Sequence, residues 1–320
     1  MNVEGMYKNA CIAITGGLGS IGEEIVKALE KMDVDRIIVI DNRETSLFYS
    51  SLDRENVEFV YGDVRDENSI RSALEGANIV FHTAAMKHLS VCENHPYEAV
   101  MTNILGTHNV LRAAMDVGVE RVVVVSTDKA VEPTNVLGST KLIAESIAKS
   151  FSSKIAVSIA RFGNVLGSRG SVLEIWERSV RQRGKIPVTN PEMTRFFITP
   201  DDCARKLLYV GSVGGSGEIY IIKSPSAKIG TMAEVFQELR GGEIEIVGIR
   251  AGEKLHEKLV AESEINYLWE NDEFFVVSED SPDDDFERAY IRDFSSKSEE
   301  FLLDKEGVRK MLISALSISQ

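Results

Sequence analysis

Three adjacent side chains, Thr127, Asp128 and Lys129, place a hydroxyl, a carboxylate and an amine in one short stretch, Ser126-Thr127-Asp128-Lys129-Ala130. An acid beside an amine can take a proton from one atom and give a proton to its neighbour. A second signature is Thr15-Gly16-Gly17-Leu18-Gly19-Ser20-Ile21-Gly22. Gly16, Gly19 and Gly22 fall where a tight turn, close backbone approach to a pyrophosphate, and tight helix–strand packing each require a missing side chain. Asp41 follows roughly twenty residues on, where a carboxylate can accept from both adenosine-ribose hydroxyls and would repel a 2′-phosphate. The pattern predicts a dinucleotide cofactor, NAD in preference to NADP, although Arg43 stands close enough to leave NADP open. Asp63, in Gly62-Asp63-Val64, is a candidate acceptor for the adenine amino group.

These groups need a scaffold. From Ala10 to Arg161, short β-branched runs alternate with helix-period stretches, the pattern of βαβ units building a parallel sheet. The expected strands are Cys11–Thr15, Arg36–Ile40, Val57–Val60, Asn78–His82, Arg121–Val125 and Ile155–Ala160. Runs such as Ile37-Ile38-Val39-Ile40 and Val122-Val123-Val124-Val125 are apolar at every position, as strands covered on both faces are. Helical periodicity marks Ile21–Met32, Asn68–Leu74, Tyr97–Val117 and Leu137–Phe151. The expected fold is α/β, a doubly wound parallel (Rossmann) sheet over residues 1–161, with a smaller substrate-binding region and C-terminal tail over 162–320, some elements interleaved. In that second part helices are expected near Leu173–Arg183, Asp201–Val210, Thr231–Leu239 and Asp304–Leu316, and strands at Glu218–Ile222 and Glu243–Val247. Glu279–Glu287 carries six carboxylates and Pro282 and reads as a solvated loop. In this scheme the Thr127–Lys129 segment sits at the carboxyl end of the fifth strand, facing the crevice where open α/β sheets bind ligands.

The chain as a whole narrows the function. With 320 residues, 43% of them apolar, it is long enough to bury a large core. Its net charge of -14, with no basic cluster after an aromatic run, argues against a nucleic-acid partner. An anionic ligand must then be held by individual Arg, Lys and helix N-termini. The three cysteines form no CxxC pair, and His82, His88, His108 and His256 lack ligand spacing, so no metal is expected. Cysteines without a disulfide framework suit a reducing cytoplasm, and apolar runs no longer than a strand predict no direct membrane insertion.

The stretches TGGLGSIG (15–22), GDVRD (62–66), HTAAMKH (82–88), TNILGT (102–107), STDKAVEPTN (126–135), RFGNVLGSRGSV (161–172), PEMTRFF (191–197) and GIRAGEKLHEKL (248–259) resemble the extended short-chain dehydrogenases/reductases. Within that group the chain is similar to the nucleotide-sugar 4,6-dehydratases of polysaccharide biosynthesis, particularly the short UDP-N-acetylglucosamine 4,6-dehydratases. The resemblance implies that Lys129 takes the proton from carbon 5, that Asp128 protonates the departing carbon 6 hydroxyl, and that Thr127 bonds the sugar near carbon 4. A lysine in that role must be neutral, so Lys129 is expected to be partly desolvated or near another cation. It implies that Lys141 holds the nicotinamide ribose, and that Ser20, Ile21, Val64, Ala84 and Ala85 join the glycines, Asp41, Arg43 and Asp63 around the cofactor. For the UDP-sugar it implies Lys87, Asn103, Asn164, Ser168, Arg169, Thr194, Arg195, Arg250 and Glu253, with Asn164 on the diphosphate and Glu253 on the uridine ribose.

One departure stands out. The Tyr-x-x-x-Lys pair of short-chain dehydrogenases appears here as Leu137-Gly138-Ser139-Thr140-Lys141, and a leucine exchanges no proton. Asp128, or a water held by Thr127 and Lys141, must then accept the carbon 4 hydroxyl proton. Leu137 itself reads as a buried packing residue. Two rivals stay open: a nucleotide-sugar 4-epimerase, and a non-catalytic dinucleotide-binding regulator for which Leu137 is the best support. Configuration at carbon 5 is not fixed by the sequence, and a homo-oligomer is expected by analogy with the fold.

Overall fold

A computed structural model of the chain describes residues 3–50, 54, 56–290 and 293–318. Six parallel strands form the centre of its main sheet: β1 (Cys11–Thr15), β2 (Arg36–Asp41), β3 (Val57–Tyr61), β4 (Ile79–His82), β5 (Arg121–Val125) and β6 (Ala156–Arg161). Their spatial order is 3-2-1-4-5-6, in the doubly wound arrangement. Strands β1 and β4 are buried at every position, as continuous apolar runs require when helices cover both faces. Two separate apolar clusters occupy the faces, one around Ile38, Val80, Val122 and Ile159 and the other around Ile12, Val39, Phe81 and Val123.

The second half of the chain contributes β7 (Asn164–Val165), β8 (Lys185–Val188), β9 (Thr194–Ile198), β10 (Ser216–Ile222), β11 (Ser226–Lys228), β12 (Glu243–Ile246), β13 (Leu268–Glu270), β14 (Phe274–Val277) and β15 (Glu287–Arg288). Strand β10 pairs in parallel with β6, and β14, β13 and β15 follow it outward in antiparallel pairs, giving ten strands in one sheet. The antiparallel extension is a difference from the sequence reading. Leu268-Trp269-Glu270 and Phe274–Val277 are too short to declare a period, and only tertiary pairing with β10 fixes them. The smaller lobe has its own core around Trp176, Phe197, Phe236 and Leu312, built on a β11-β9-β7 sheet, a β12-β8 pair, and the helices Val172–Arg183, Ile229–Arg240 and Lys305–Ile318.

The expected single helix over residues 97–117 is divided. A short α turn, Pro96–Ala99, runs into a π-helical segment, Val100–Leu105, before α-helix resumes at Gly106–Val117. The wider π turn sits beside Gly106, where an added Cβ would come 2.7 Å from a Val64 methyl, so the segment lies unusually close to the loop after β3. Among the described residues no helix is long and apolar enough to cross a membrane.

Candidate functional site

The carboxyl ends of the parallel strands and the smaller lobe enclose a cleft of about 1040 Å³. At one end the glycine turn joins β1 to the helix Ser20–Leu29. Gly16 has φ +67, and a Cβ there would stand 2.7 Å from the Ala84 Cα, so the left-handed turn and the closeness of the loop after β4 both exclude a side chain. At Gly22 a Cβ would meet the Gly16 carbonyl and the Gly17 Cα, each at 2.6 Å. The helix begins at Gly19 without a side-chain cap, leaving its first backbone N–H groups directed at the turn. These are the features of a phosphate cradle.

Asp41 ends β2 and is 6% exposed. Its Oδ2 accepts from the Leu18 amide at 3.2 Å, tying strand end to glycine turn, and both its oxygens accept from Arg43, at 2.9 and 3.0 Å. Asp63 is similarly clasped by Arg65, whose side-chain hydrogen bonds push its pKa down to about 2. Ser20, Ile21, Val64, Ala84, Ala85 and Lys87 line the same wall, whereas Gly22 packs behind it.

Strand β5 delivers the titratable triplet. Thr127 caps a single 3₁₀ turn, Asp128–Ala130; its Oγ1 donates to Asp128 Oδ1 at 2.9 Å. Lys129 Nζ donates to the same oxygen at 2.9 Å and to Asn164 Oδ1 at 3.3 Å, and Asn164 Nδ2 donates to the Phe196 carbonyl. Thr127, Lys129 and Asn164 line the cleft, while Asp128 is wholly buried behind them with Oδ2 unpartnered. Lys129 is desolvated as expected, but it is not neutral. Burial opposes its charge, yet the adjacent carboxylate of Asp128 and the more distant Glu257 outweigh burial and the repulsion of Arg195, so its pKa is raised. The sequence reading weighed desolvation without the counterion.

Lys141 comes from the helix Val136–Phe151, whose N-terminus is held by Asn135 Oδ1 accepting from the Gly138 amide. Its buried face carries Leu137, Gly138, Thr140, Lys141, Ala144, Glu145, Ala148 and Phe151, three of the eight polar. Lys141 Nζ donates to the Val125 carbonyl at 2.6 Å, and burial lowers its pKa to about 8 against the opposing pull of Glu145. Leu137 touches the cleft and packs with Cys92 and Ala99, as a hydrophobic wall. His82 is buried between Thr15 Oγ1 and Thr107 Oγ1, at 2.7 and 3.0 Å; burial first and Lys141 second hold its pKa near 3.

On the opposite wall lie Ser168, Arg169, Arg195, Arg250 and Glu253. Arg169 is committed to the glycine turn: its guanidinium donates to the Leu18 carbonyl and its amide to Ser20 Oγ. Arg195 donates to the Lys254 and Leu255 carbonyls, so it anchors the 248–259 loop as well as lining the cleft. Glu253 accepts from the Arg250 amide. Two expected substrate residues point elsewhere. Asn103, in the π segment, bonds both backbone groups of Met86 and the Thr140 hydroxyl, and Thr194 bonds His256 and Ser296, each only 1% exposed.

Two groups were not singled out from the sequence. Glu257 is buried near Asp128 and Lys129, within the quoted 248–259 stretch, where Arg250 and Glu253 drew attention instead. Glu145 accepts from Ser126 Oγ at 2.5 Å and from Arg161, linking the residue before Thr127 to the end of β6. Its helical position opposite a strand was visible, but its partners were not. No cluster of three metal-ligating side chains exists among the described residues.

The chain superposes on the X-ray structure of Pen from Bacillus thuringiensis with a TM-score of 0.92, 32% identity, and coverage of 97% of this chain and 99% of that one. It also matches DesIV, a dTDP-glucose 4,6-dehydratase from Streptomyces venezuelae crystallised with NAD and TYD, with a TM-score of 0.71, 25% identity, and coverage of 77% and 86%. Fold and cleft are those of a nucleotide-sugar-modifying enzyme of the short-chain dehydrogenase/reductase epimerase and dehydratase kind. Residues 12–279 match the family described as polysaccharide biosynthesis protein, and the chain belongs to that family. Among curated relatives, an uncharacterized membrane protein of Methanocaldococcus jannaschii is 41% identical over 97% of both chains. A UDP-glucose 4-epimerase of Rickettsia rickettsii is 34% identical over 89% of this chain and 88% of its own length.

Proposed function

We propose that the chain is a cytoplasmic nucleotide-sugar 4,6-dehydratase that converts UDP-N-acetylglucosamine to a UDP-4-keto-6-deoxy-N-acetylhexosamine. The observation that carries this reading is the 2.9 Å contact between Lys129 and Asp128 at the wall of a cleft whose other end is a glycine-rich phosphate cradle. Gly16, Gly19, Ser20, Asp41 and Lys141 suit a nicotinamide dinucleotide, NAD by the charge of Asp41. Bound there, it supplies reversible hydride acceptance at carbon 4 and return at carbon 6.

The protein's own share is proton handling. Once carbon 4 is a ketone, the carbon 5 proton is acidic. The Lys129–Asp128 ion pair holds one mobile proton. Shifted from Nζ to the carboxylate, that proton leaves a neutral amine beside a neutral acid, which is the pair elimination requires. Lys129 takes the carbon 5 proton, the C–H electrons form the carbon 5–carbon 6 double bond, and the carbon 6–oxygen bond breaks. Asp128 gives its proton to the departing oxygen, which leaves as water. The pair ends as ammonium and carboxylate, its starting state. Thr127, donating to Asp128, keeps the carboxylate oriented. As carbon 6 is reduced, the Lys129 ammonium returns a proton to carbon 5, and the carbon 4 hydroxyl proton, relayed through Asp128 or a water held by Thr127 and Lys141 because Leu137 accepts none, restores the pair.

Arg250, Arg195 and Lys87 are the cations that would hold the diphosphate against the acidic field of the whole chain. A 4-epimerase is the second reading, favoured by the named activity of the Rickettsia rickettsii relative. Incubation with UDP-N-acetylglucosamine in deuterated water separates them. The dehydratase gives a 4-keto-6-deoxy sugar carrying solvent deuterium, seen by NMR. An epimerase gives UDP-N-acetylgalactosamine without deuterium, and that result would overturn the first reading.

A further inference from the structure

A second buried carboxylate lies beneath the triplet. Glu257, on the loop that closes the cleft, is 4% exposed, and its Oε2 has no hydrogen-bond partner. Asp128 Oδ2, equally buried, has none either. Two carboxylates near enough to repel one another therefore lie under the cleft, each with an unsatisfied oxygen. Three cations flank them. Lys129 comes from the turn after β5, Arg195 from β9 lies 3.9 Å from Glu257, and Lys254 from the same loop lies 3.8 Å from it. Ser296 receives the Glu257 amide, fixing the backbone from the far side. Neither distance to a cation makes a direct bond, so Glu257 acts on its neighbours chiefly through charge.

We propose that Glu257 is a positioning residue whose buried carboxylate sets the pH at which the Asp128–Lys129 pair loses its working proton. This inference deepens the dehydratase reading and rests on it. The argument is electrostatic. Removal of the pair's proton leaves a net negative pair facing a buried negative charge, and at low dielectric that repulsion is strong. Glu257 accordingly helps keep Lys129 protonated, and burial together with Asp128 raises the proton affinity of Glu257 itself. Without Glu257, Arg195 and Lys254 would face the pair unopposed and favour its deprotonated form. Glu257 does not line the cleft, so it contacts no substrate.

The test is the pH profile of 4-keto-6-deoxy product formation by the full chain with NAD. In Glu257→Gln the basic limb of kcat should move to lower pH by about one unit, because one opposing charge has gone. At pH above that limb kcat should fall about tenfold, with KM for UDP-N-acetylglucosamine and Kd for NAD within about twofold of wild type. A limb at the wild-type position, or a raised KM with kcat unchanged, overturns the inference. If Glu257→Gln lacks a cooperative melt, Glu257→Asp is read instead, its charge one methylene farther back. A smaller displacement of the same sign supports the proposal, and none overturns it. Wild-type protein that makes no 4-keto-6-deoxy sugar overturns the functional reading together with this inference; a turning-over wild type with an unmoved limb overturns the inference alone.

Discussion

Arg161 and Glu145, 1% and 3% exposed, are joined by two hydrogen bonds of 3.1 and 2.7 Å across the interior between β6 and the helix Val136–Phe151. Arg161 also reaches both oxygens of Glu264, at 2.8 and 2.9 Å, while Glu145 receives Ser126. The two carboxylates together outweigh the burial of the guanidinium and raise its pKa. One cation thus fastens a sheet strand, the helix that carries Lys141, the 3₁₀ turn Glu262–Tyr267 and, through the Leu259 carbonyl, the end of the closing loop.

Breaking that junction from one side should be costly. Arg161→Met leaves the buried Glu145 and the partly buried Glu264 without their counterion, and we expect a loss of about 3–5 kcal/mol in a denaturant or thermal melt. Adding Glu145→Gln to it should recover part of the loss, because one stranded charge is removed.

Lys129→Ala should abolish water elimination. Removing a positioned base costs about 10²–10⁴-fold in kcat, and Kd for NAD should stay within about threefold because the glycine turn and Asp41 are untouched. A variant that still forms the 4-keto-6-deoxy sugar at near wild-type rate removes Lys129 from the role assigned to it.

The fixed orientation of Asp41, held by the Leu18 amide and by Arg43, gives a prediction about cofactor choice. A 2′-phosphate would meet a buried carboxylate already oriented by four donors. Fluorescence titration should show NAD binding at least about tenfold more tightly than NADP, and Asp41→Asn should narrow the gap. Equal affinities in the wild type would mean that Arg43 swings from Asp41 to the phosphate.

His82 makes stability depend on pH. Its folded pKa is near 3, whereas an unfolded histidine titrates near the ordinary 6.5. The unfolded chain therefore binds this proton first as pH falls. The residue's contribution is complete above 6.5 and is lost progressively between 6.5 and 3, at up to about 1.4 kcal/mol per pH unit. His82→Gln should start from a lower melting temperature but show a flatter decline between pH 6.5 and 4.5. Parallel slopes for the two proteins would count against a neutral buried imidazole.

Much of this was legible in the chain. Strands β1 to β6 follow from runs such as Val122–Val125 that suit only a doubly covered sheet, and the glycine turn from the need for missing side chains at Gly16 and Gly22. What escaped reading was whatever depends on distant partners. Phe274–Val277 is a strand because β10 offers an edge, more than fifty residues away. Lys129 keeps its charge because Asp128 lies against it, and desolvation alone pointed the other way. Asn103 and Thr194 sit in the expected stretches, yet bond inward to Met86, Thr140, His256 and Ser296, which a one-dimensional pattern cannot convey. Glu257 looked like one more acidic residue in an acidic chain until folding carried it beneath the cleft.

The parallel pairing of β10 with β6 bears on how this enzyme can be taken apart. A fragment stopped after Arg161 would expose a row of unsatisfied backbone groups along an apolar edge, and would abandon its guanidinium without Glu264. The remainder, deprived of that edge, would leave one side of β10 without its parallel partner. Halves expressed apart should aggregate, and function should return only if they meet while folding.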